Sequence, residues 1–260
     1  MVLLKKYKTA NHNLHQRLAA CIKPHDKGKN LRIERVNADK DGYWRFFILN
    51  FYIKIMKNLI RKIAGKMLKP LFSLKSKIYV KKLLLSNSNI MLEVGAGEKK
   101  GSNGWTTLDL KRKCDIYCDL RYGIPFPKNS VSKIYSSHLL EHLTFKEGQV
   151  FLQECLRVLV PNGIFSICVP NARIYIEAYI KNEKLDCSKF YLPGYNNTTK
   201  IDYVNYTAYM DGHHKYMFDE ENILCILAKA GFREVKLRCF DNSLDLEERD
   251  YESIYAEAIK

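Results

Sequence analysis

The amino-acid sequence predicts an α/β fold with a largely parallel sheet in the part of the chain that begins at Asn89. From there onward, short apolar segments of strand type alternate with segments of helical type, which is the pattern of βαβ units. The first apolar segment runs directly into a turn that contains Gly95 and Gly97. Because such a turn lets backbone approach a ligand closely, we expect a ligand site at the carboxyl edge of the sheet.

Seven segments have the length and composition of strands, and a helical stretch from His138 to Leu159 joins the fourth to the fifth. A second helix is predicted over residues 219–230, since Asp219 can cap its start and Gly231 ends it. The predicted strands are Ile90–Val94, Trp105–Leu110, Cys114–Leu120, Val131–Ser137, Gly163–Val169, Phe232–Phe240 and Glu252–Ile259.

The connection between the first two strands is short. Only the eight residues from Glu98 to Trp105 follow the glycine turn before the second strand begins. A crossover helix needs about ten residues or more, so the sequence predicts that no full helix forms here. A more open ligand site is the expected consequence.

Acidic residues occur within or at the end of the first three predicted strands, as Glu93, Asp109 and Asp119. The carboxyl ends of parallel strands share one edge of a sheet, where open α/β folds bind their ligands. A carboxylate at the end of the second strand can accept two hydrogen bonds from a ribose diol. A nicotinamide cofactor is less well supported, because the third glycine of G-x-G-x-x-G is missing and Asp109 follows Gly97 by 12 residues where about 20 is usual.

Five motifs occur in order along residues 92–163. They are Leu92-Glu93-Val94-Gly95-Ala96-Gly97, Gly104-Trp105 ahead of Asp109, Cys118-Asp119-Leu120, Ser136-Ser137-His138-Leu139-Leu140-Glu141-His142, and Leu156-Arg157-Val158-Leu159 followed by Pro161 and Gly163. In this order and spacing, residues 89–260 resemble the class I S-adenosylmethionine-dependent methyltransferases. The resemblance is closest to the type-11-like predicted methyltransferases that are associated with cell-surface glycan genes, and it leaves residues 1–88 outside.

This resemblance implies a Rossmann-like sheet of seven strands with the last one antiparallel, and S-adenosylmethionine as the cofactor. The family's cofactor-binding positions fall on eight residues of this chain. The methionine part would contact Glu93, Gly95 and Gly97, the ribose Asp109, the adenine Asp119 and Leu120, and the reactive side of the cofactor Ser137 and His138.

The segment from His138 to His142 also matches the H-x-x-E-H pattern of some zinc proteases. Two histidines four residues apart on a helix can bind one metal ion, but the sequence offers no separate third ligand. The segment is also similar to the E-x-x-E-H pattern of some metal-dependent O-methyltransferases, although His138 replaces the first acid. The sequence therefore predicts no metal.

Methyl transfer to a hydroxyl group is assisted by a base that accepts the hydroxyl proton. The candidate catalytic residues are His142 and the adjacent pair His213 and His214. Each of these histidines has an alternative role in orienting or packing other groups.

Residues 171–218 contain ten aromatic residues, eight of them tyrosines, around a segment rich in glycine, proline and asparagine. This composition predicts an aromatic-rich cap inserted over the sheet edge. Tyrosine rings can stack on a sugar or an aromatic acceptor and donate hydrogen bonds to it. The alternative is that the tyrosines of the insert pack on one another.

The net charge of +15 is very unevenly distributed. Residues 1–89 contain 21 Lys and Arg against four Asp and Glu, a net of +17, while the rest of the chain has a net of −2. Residues 1–55 are expected to be disordered, or to be upstream sequence if translation begins at Met56. Residues 56–88 form a basic segment with apolar residues at helical spacing, so we expect residues 56–85 either to contact an anionic membrane or to pack on the domain that follows.

Together these observations predict a cytoplasmic S-adenosylmethionine-dependent methyltransferase that O-methylates a glycan or glycolipid intermediate, with peripheral contact to the inner membrane face. Residues 89–260 would form the methyltransferase domain. A nucleic-acid methyltransferase that uses the basic arm is one alternative, but the slightly acidic domain argues against a nucleic-acid partner. A catalytically silent protein of the same fold, acting as a scaffold at the membrane, is the other.

Overall fold

The computed structural model describes Met56 and residues 73–86, 89–185 and 199–260. One sheet of seven strands organises the described chain, in the order β3-β2-β1-β4-β5-β7-β6. The strands are β1 (Met91–Val94), β2 (Trp105–Asp109), β3 (Ile116–Tyr117), β4 (Val131–Ser137), β5 (Leu159–Pro170), β6 (Arg233–Leu237) and β7 (Ser253–Ile259).

Strands β1 to β5 pair in parallel, whereas β7 is antiparallel to both β5 and β6. The predicted seven-stranded sheet with a reversed last strand is therefore confirmed. Strand β1 lies between β2 and β4 and is parallel to both, so the carboxyl ends of these three strands lie side by side. Glu93 of β1, for example, has Thr107 of β2 and Tyr135 of β4 as its neighbours across the sheet.

Five helices accompany the sheet in the described chain. The helix at residues 73–86 is called α1, and the others are α2 (Phe145–Val158), α3 (Ala172–Ile180), α4 (Ile201–Ala208) and α5 (Glu220–Lys229). Helix α5 is capped by the Asp219 side chain, which accepts a hydrogen bond from the Asn222 N–H at 2.8 Å, and Gly231 follows its end with φ +99°. Both signals were predicted from the sequence.

The main core lies between the sheet and its helices. Helix α2 places Phe151, Leu152, Cys155 and Val158 on one fully buried face against it, at the spacing that an amphipathic helix requires. Phe165 of β5 completes this contact, with its ring centroid 6.4 Å from that of Phe151.

The predicted start of α2 at His138 is wrong. His138 has φ +48°, which a continuing α-helix does not allow, and only a short 3-10 turn, Leu140–His142, follows it. The α-helix starts seven residues later, where Thr144 and Glu147 form a reciprocal capping box. His138 and His142 therefore do not lie on one α-helix.

Three strands differ clearly in length from the prediction. Strand β6 ends at Leu237, three residues before the predicted end at Phe240. Strand β3 is reduced to Ile116–Tyr117, because Asp119 already caps the 3-10 turn Leu120–Tyr122 by accepting the Arg121 N–H. Strand β5 begins earlier than predicted, at Leu159, and its register against β4 shifts near Asn162, which has φ +62°. Between β1 and β2 the described chain forms turns and no helix, as expected from the short connection.

Helices α3 and α4 form a second, smaller layer with its own apolar cluster. Tyr175, Tyr203 and Tyr206 are buried in this cluster, and the ring centroids of Tyr175 and Tyr206 lie 5.4 Å apart. The described part of the aromatic insert thus packs partly on itself. Tyr191 and Tyr195, which were part of the predicted cap, lie outside the described residues.

The segment between β6 and β7 is fastened to the sheet by a buried ion pair. The guanidinium of Arg238 contacts the carboxylate of Asp245 at 2.6 and 2.8 Å. Asp245 also accepts the Tyr135 hydroxyl of β4 at 2.9 Å, and Arg238 donates to the Ser166 hydroxyl of β5 at 2.8 Å. The network positions the 3-10 turn Glu247–Glu252 beside the carboxyl ends of β4 and β5.

Helix α1 is the described part of the predicted basic segment. It buries Ser76 and Val80 against the domain, and the Ser76 hydroxyl accepts the Tyr117 N–H at 2.9 Å. Within the described residues, no helix combines the length and apolarity needed to cross a membrane. Apart from Met56, the predictions for residues 1–72 lie outside the described residues.

Candidate active site

The two glycines of the turn after β1 both have a positive φ, but their surroundings differ. Gly95 has φ +76°, and a Cβ built on it would lie 2.8 Å from the Cβ of Leu139, which follows β4. Gly97 has φ +66°, but a Cβ there would meet no atom within 4 Å. Gly95 is therefore required by packing as well as by its backbone conformation, whereas the space beside Gly97 is open to a ligand.

Asp109 fastens this turn to the end of β2. One carboxylate oxygen accepts the Gly97 N–H at 2.9 Å, and the other accepts the Lys111 N–H at 2.8 Å. These two bonds fix the plane of the carboxylate, and each oxygen retains a lone pair for another donor.

Asp119 follows β3 at the same edge and is held by Arg121. The guanidinium of Arg121 donates to both carboxylate oxygens at 2.9 and 2.7 Å, and this bidentate pairing fixes the carboxylate. Between the two aspartates lies a cavity of about 280 Å³, here called the aspartate cavity. Its lining comprises Asp109, Leu110, Cys118, Asp119, Leu120, Arg121, Leu139, His142 and Leu143.

Two further predicted cofactor contacts lie near this edge, but they do not line the aspartate cavity. Glu93 is half-buried in β1, and its carboxylate pairs with the Lys99 ammonium at 2.8 Å. Ser137 ends β4 and lies opposite Cys168 of β5. The structure thus gathers Asp109, Asp119 and Leu120 around one cavity. The other predicted contacts of this edge are outside its lining, namely Glu93, Gly95, Gly97 and Ser137.

A second cavity, of about 410 Å³, opens beside the carboxyl ends of β4 and β5. It is called the histidine cavity here. Its walls come from the segment after β4, from the 3-10 turn before β7 and from the described part of the aromatic insert, residues 171–185 and 199–218, which is called the helical insert below. The lining residues are His138, Glu141, His142, Pro170, Tyr206, Thr207, Met210, His214, Glu248, Arg249, Tyr251 and Glu252.

His142 lines both cavities. Its Nδ1 lies 3.0 Å from the backbone carbonyl oxygen of His213. A carbonyl oxygen only accepts hydrogen bonds, so Nδ1 carries the proton and the Nε2 of the neutral ring presents a lone pair.

His214 repeats this arrangement. Its ring is buried, and Nδ1 lies 2.9 Å from the carbonyl oxygen of Thr207, so its Nε2 also presents a lone pair. Burial lowers the pKa of His214, which favours the neutral ring. The rings of His142 and His214 meet edge to face, with centroids 5.1 Å apart. The side chain of the neighbouring His213 is exposed, and only its backbone carbonyl reaches the site.

His138 lies in the histidine cavity and is absent from the lining of the aspartate cavity. Its Nε2 is 2.9 Å from the hydroxyl oxygen of Ser253 at the start of β7. Burial lowers the pKa of His138 to about 3, so the ring is neutral at physiological pH. Its left-handed backbone conformation directs the chain from β4 into the turn that contains Glu141 and His142.

Glu141 is the buried carboxyl group of the histidine cavity. Only 2% of it is exposed, and its Oε1 lies 3.6 Å from Nδ1 of His138 and 3.7 Å from Nε2 of His142. Its Oε2 has no hydrogen-bond partner among the described residues. Burial raises the pKa of Glu141 to about 8. Sequence reasoning gave Glu141 no role, although it stands in the H-x-x-E-H pattern.

The remaining charged groups of the cavity come from the turn Glu247–Glu252, for which the sequence held no recognisable signal. Glu252 is buried there, and its carboxylate accepts the Tyr175 hydroxyl at 2.5 Å. Burial raises the pKa of Glu252 as well. Because Tyr175 belongs to α3, this bond joins the aromatic insert to the turn that closes the cavity.

Residues 91–167 match the model of a family described as a methyltransferase domain. None of the curated proteins compared with the chain matches it. Among solved structures, a similar one is phosphoethanolamine N-methyltransferase 2 of Haemonchus contortus in complex with S-adenosyl-L-methionine. It shares 14% identity with a TM-score of 0.41, and the alignment covers 71% of this chain and 52% of that protein. The chain thus spans about half the length of that enzyme.

Two other similar structures have nearly their full length covered. One is a SAM-dependent methyltransferase from Archaeoglobus fulgidus, with 14% identity and a TM-score of 0.41 over 81% of this chain and 100% of that one. The other is an S-adenosylmethionine-dependent methyltransferase from Mesorhizobium loti, with 16% identity and a TM-score of 0.42 over 70% of this chain and 98% of that one.

Proposed function

We propose that the chain methylates a hydroxyl group of a glycan or glycolipid intermediate. The premise of this proposal is that it carries a class I S-adenosylmethionine-dependent methyltransferase domain. The observation that carries the proposal is the position of His142, which lines both the aspartate cavity and the histidine cavity. In the tautomer that the His213 carbonyl selects, its Nε2 presents a lone pair at this junction, beside the ring of His214. A methyl donor in one cavity and an acceptor in the other would meet at this pair.

The residues of the aspartate cavity fit S-adenosylmethionine. Asp109 is fixed by two backbone N–H groups and keeps acceptor capacity for the ribose hydroxyls. Leu120 and Leu139 provide apolar surface for the adenine ring. The open space beside Gly97 leaves room for the methionine part, which would approach the glycine turn.

The histidine cavity fits a polyhydroxylated acceptor. Its volume of about 410 Å³ is within the usual range of small-molecule sites. Tyr206 and Tyr251 offer ring faces and hydroxyls, while Glu248 and Arg249 offer charged hydrogen-bonding groups. This mixture of aromatic and polar groups is typical of surfaces that bind sugars.

When bound, S-adenosylmethionine supplies an electrophilic methyl group on a sulfonium sulfur, and a hydroxyl that receives the methyl gives up its proton. The chain contributes the orientation of the acceptor and the activation of its hydroxyl. The Nε2 lone pairs of His142 and His214 are the groups placed for this activation, since carbonyl groups hold both rings in one tautomer.

Cofactor binding is tested by isothermal titration calorimetry of the full chain with S-adenosylmethionine. The wild-type protein should bind, and Asp109→Ala should weaken binding by tenfold or more, because the ribose contacts are lost. His213→Ala is the matched control, because the His213 side chain is exposed and only its backbone carbonyl reaches the site. A wild-type protein that does not bind the cofactor would favour the silent scaffold.

The acceptor class is tested by mass spectrometry of glycans and lipid-linked glycans from cells with and without this chain. The proposal expects a species that carries an additional methyl group only when the chain is present. His142→Gln and His214→Gln should each abolish most of this species at equal protein level. Methylated RNA in place of a methylated glycan would show that the substrate class is wrong.

We further propose that residues 56–85 bring the enzyme to an anionic membrane surface in the cytoplasm. In α1, Leu74, Ile78 and Leu85 are 56%, 62% and 81% exposed, although Val80 on the other face is buried. The four lysines of this helix are exposed as well. Exposed apolar residues interleaved with lysines support a peripheral membrane contact.

Flotation with anionic liposomes tests this contact. Replacing Leu74, Ile78 and Leu85 together by serine should lower recovery with the vesicles, while the buried face of α1 stays intact. Neutral vesicles serve as the control for charge dependence. Equal recovery of the wild-type and triple variant with anionic vesicles would contradict the proposed contact.

A further inference from the structure

The histidine pair at the junction of the two cavities has a third neighbour, the buried carboxyl of Glu141. One ligand atom each from Glu141, His142 and His214 lies within 4.8 Å of the others. Glu141 and His142 come from the 3-10 turn after β4, whereas His214 follows the 3-10 turn Met210–Gly212, 72 residues farther along the chain. The site thus combines two residues of the H-x-x-E-H segment with one residue of the helical insert, and His138 is not part of it.

Both rings are oriented as metal-binding histidines usually are. A histidine that binds a metal through one nitrogen commonly donates the other N–H to a backbone carbonyl or a carboxylate, which fixes its tautomer. His142 donates from Nδ1 to the carbonyl of His213, and His214 donates from Nδ1 to the carbonyl of Thr207. The two Nε2 lone pairs are therefore directed away from these carbonyls and remain free to bind a cation.

Glu141 gives a second, independent indication. Its side chain is almost completely buried, and its Oε2 has no hydrogen-bond partner among the described residues. A buried carboxyl group without a partner is costly, and a cation would supply the missing interaction. Glu248 and Glu252 line the same cavity, so three carboxyl groups, with that of Glu141, stand against one guanidinium, that of Arg249.

We infer that Glu141, His142 and His214 form a three-ligand site for a divalent transition-metal cation of the zinc type. Two imidazole nitrogens and one carboxylate suit zinc, cobalt(II) and related ions, whereas magnesium prefers oxygen ligands. Tetrahedral ligand atoms at zinc distances lie roughly 3.4 Å apart. The separation of 3.7 Å between Glu141 and His142 is already close to this value, and movements of about an ångström would bring the other ligand atoms into range.

The open coordination positions of such a cation would face the histidine cavity, and their use rests on the proposed function. An acceptor hydroxyl bound to the cation would become more acidic and would lose its proton to solvent, while its oxygen would form a bond to the methyl group as the bond from that methyl group to sulfur breaks. The histidine pair would then activate the hydroxyl through the cation. The sequence-based expectation of no metal is replaced by this proposal.

Cation binding is tested on the full chain without a histidine tag, after chelator treatment, by titration with cobalt(II). Visible absorption bands should appear and saturate at one equivalent, and zinc should displace the cobalt. His214→Gln and Glu141→Gln should each weaken cobalt binding by at least tenfold. His213→Ala is the matched control and should bind cobalt like the wild-type protein, because its side chain is exposed next to the site.

Thermal unfolding provides a second readout that does not depend on activity. Zinc should raise the melting temperature of the wild-type protein and of His213→Ala, but not of His214→Gln. Far-UV circular dichroism checks that each variant is folded. If His214→Gln or Glu141→Gln is not folded, the same measurements are made on His142→Gln instead. The proposal is overturned if no cobalt binds at micromolar concentration, or if His214→Gln and His213→Ala bind cobalt equally well.

The outcomes for the cation and for the methyltransferase activity are separable. Full methylation of the acceptor by protein kept in excess chelator would overturn the cation site and leave the proposed function standing. Cobalt binding that depends on the three residues, without any methylated glycan in cells, would support the cation site and count against the proposed acceptor.

Discussion

The buried ion pair between Arg238 and Asp245 allows a prediction of stability. The Asp245 side chain is fully buried and that of Arg238 is 12% exposed. Asp245→Asn keeps the shape of the side chain but leaves the guanidinium without a counter-charge in the interior. Removing one partner of a buried pair costs about 3–5 kcal/mol.

In a domain of this size, each kcal/mol lowers the melting temperature by about 2–4 °C, so Asp245→Asn should lower it by about 6–20 °C. Urea unfolding followed by far-UV circular dichroism measures the free energy directly. The cost should also be larger than that of one hydrogen bond, because the carboxylate accepts the Tyr135 hydroxyl and the Asp241 N–H as well.

A control is available on β6 and β7, the two strands that flank this segment. Lys236 and Glu257 form an ion pair at 3.6 Å, with side chains 64% and 30% exposed. Glu257→Gln should cost about 1 kcal/mol or less, because the pair is solvated. If Asp245→Asn cost no more than Glu257→Gln, the reasoning from burial would be refuted. The double variant Arg238→Met/Asp245→Leu should recover much of the loss, since no buried charge remains.

Three further predictions concern single positions. Gly95→Ala should destabilise the protein by about 2–4 kcal/mol, because φ is positive and the new methyl group meets Leu139; an unchanged urea midpoint would contradict this. Thr144→Ala removes the cap of α2 and should cost about 1 kcal/mol by the same measurement, whereas Thr144→Ser should restore most of the stability. Tyr175→Phe removes the hydrogen bond to Glu252 and should cost about 1.5–3 kcal/mol; a cost within error of zero would show that this bond contributes nothing.

Much of the sheet could be predicted because its signals act over a few residues. Strand β4 was predicted with its observed bounds, and α5 within a residue at each end, since Asp219 and Gly231 determine local backbone geometry. The glycine turn and the acids at the ends of β2 and β3 were also correctly placed at the sheet edge. In each case the residue type limits the dihedral angles or the hydrogen bonds of its own neighbourhood.

The errors arose where a specific side-chain contact outweighed the preference that the apolar pattern indicated. The residues after β4 have a helical pattern, but His138 forms a hydrogen bond with Ser253 of β7. The α-helix therefore begins only after its cap at Thr144. Strand β3 was predicted too long for a local reason, because Asp119 caps the following 3-10 turn and forms an ion pair with Arg121, two residues farther along the chain. The spacing of apolar residues along the sequence does not reveal which side chains form these contacts.

The sequence by itself determined the family resemblance, the order of the strands along the chain and the glycine turn, because these depend on residues close to one another. Only the tertiary structure decided that Glu141 and His142 meet His214, and that His142 stands between two cavities. The physical reason is that the helical insert must pack back over the carboxyl edge of the sheet before His214 can approach. That packing depends on buried contacts such as Tyr175 to Glu252, which join segments 77 residues apart.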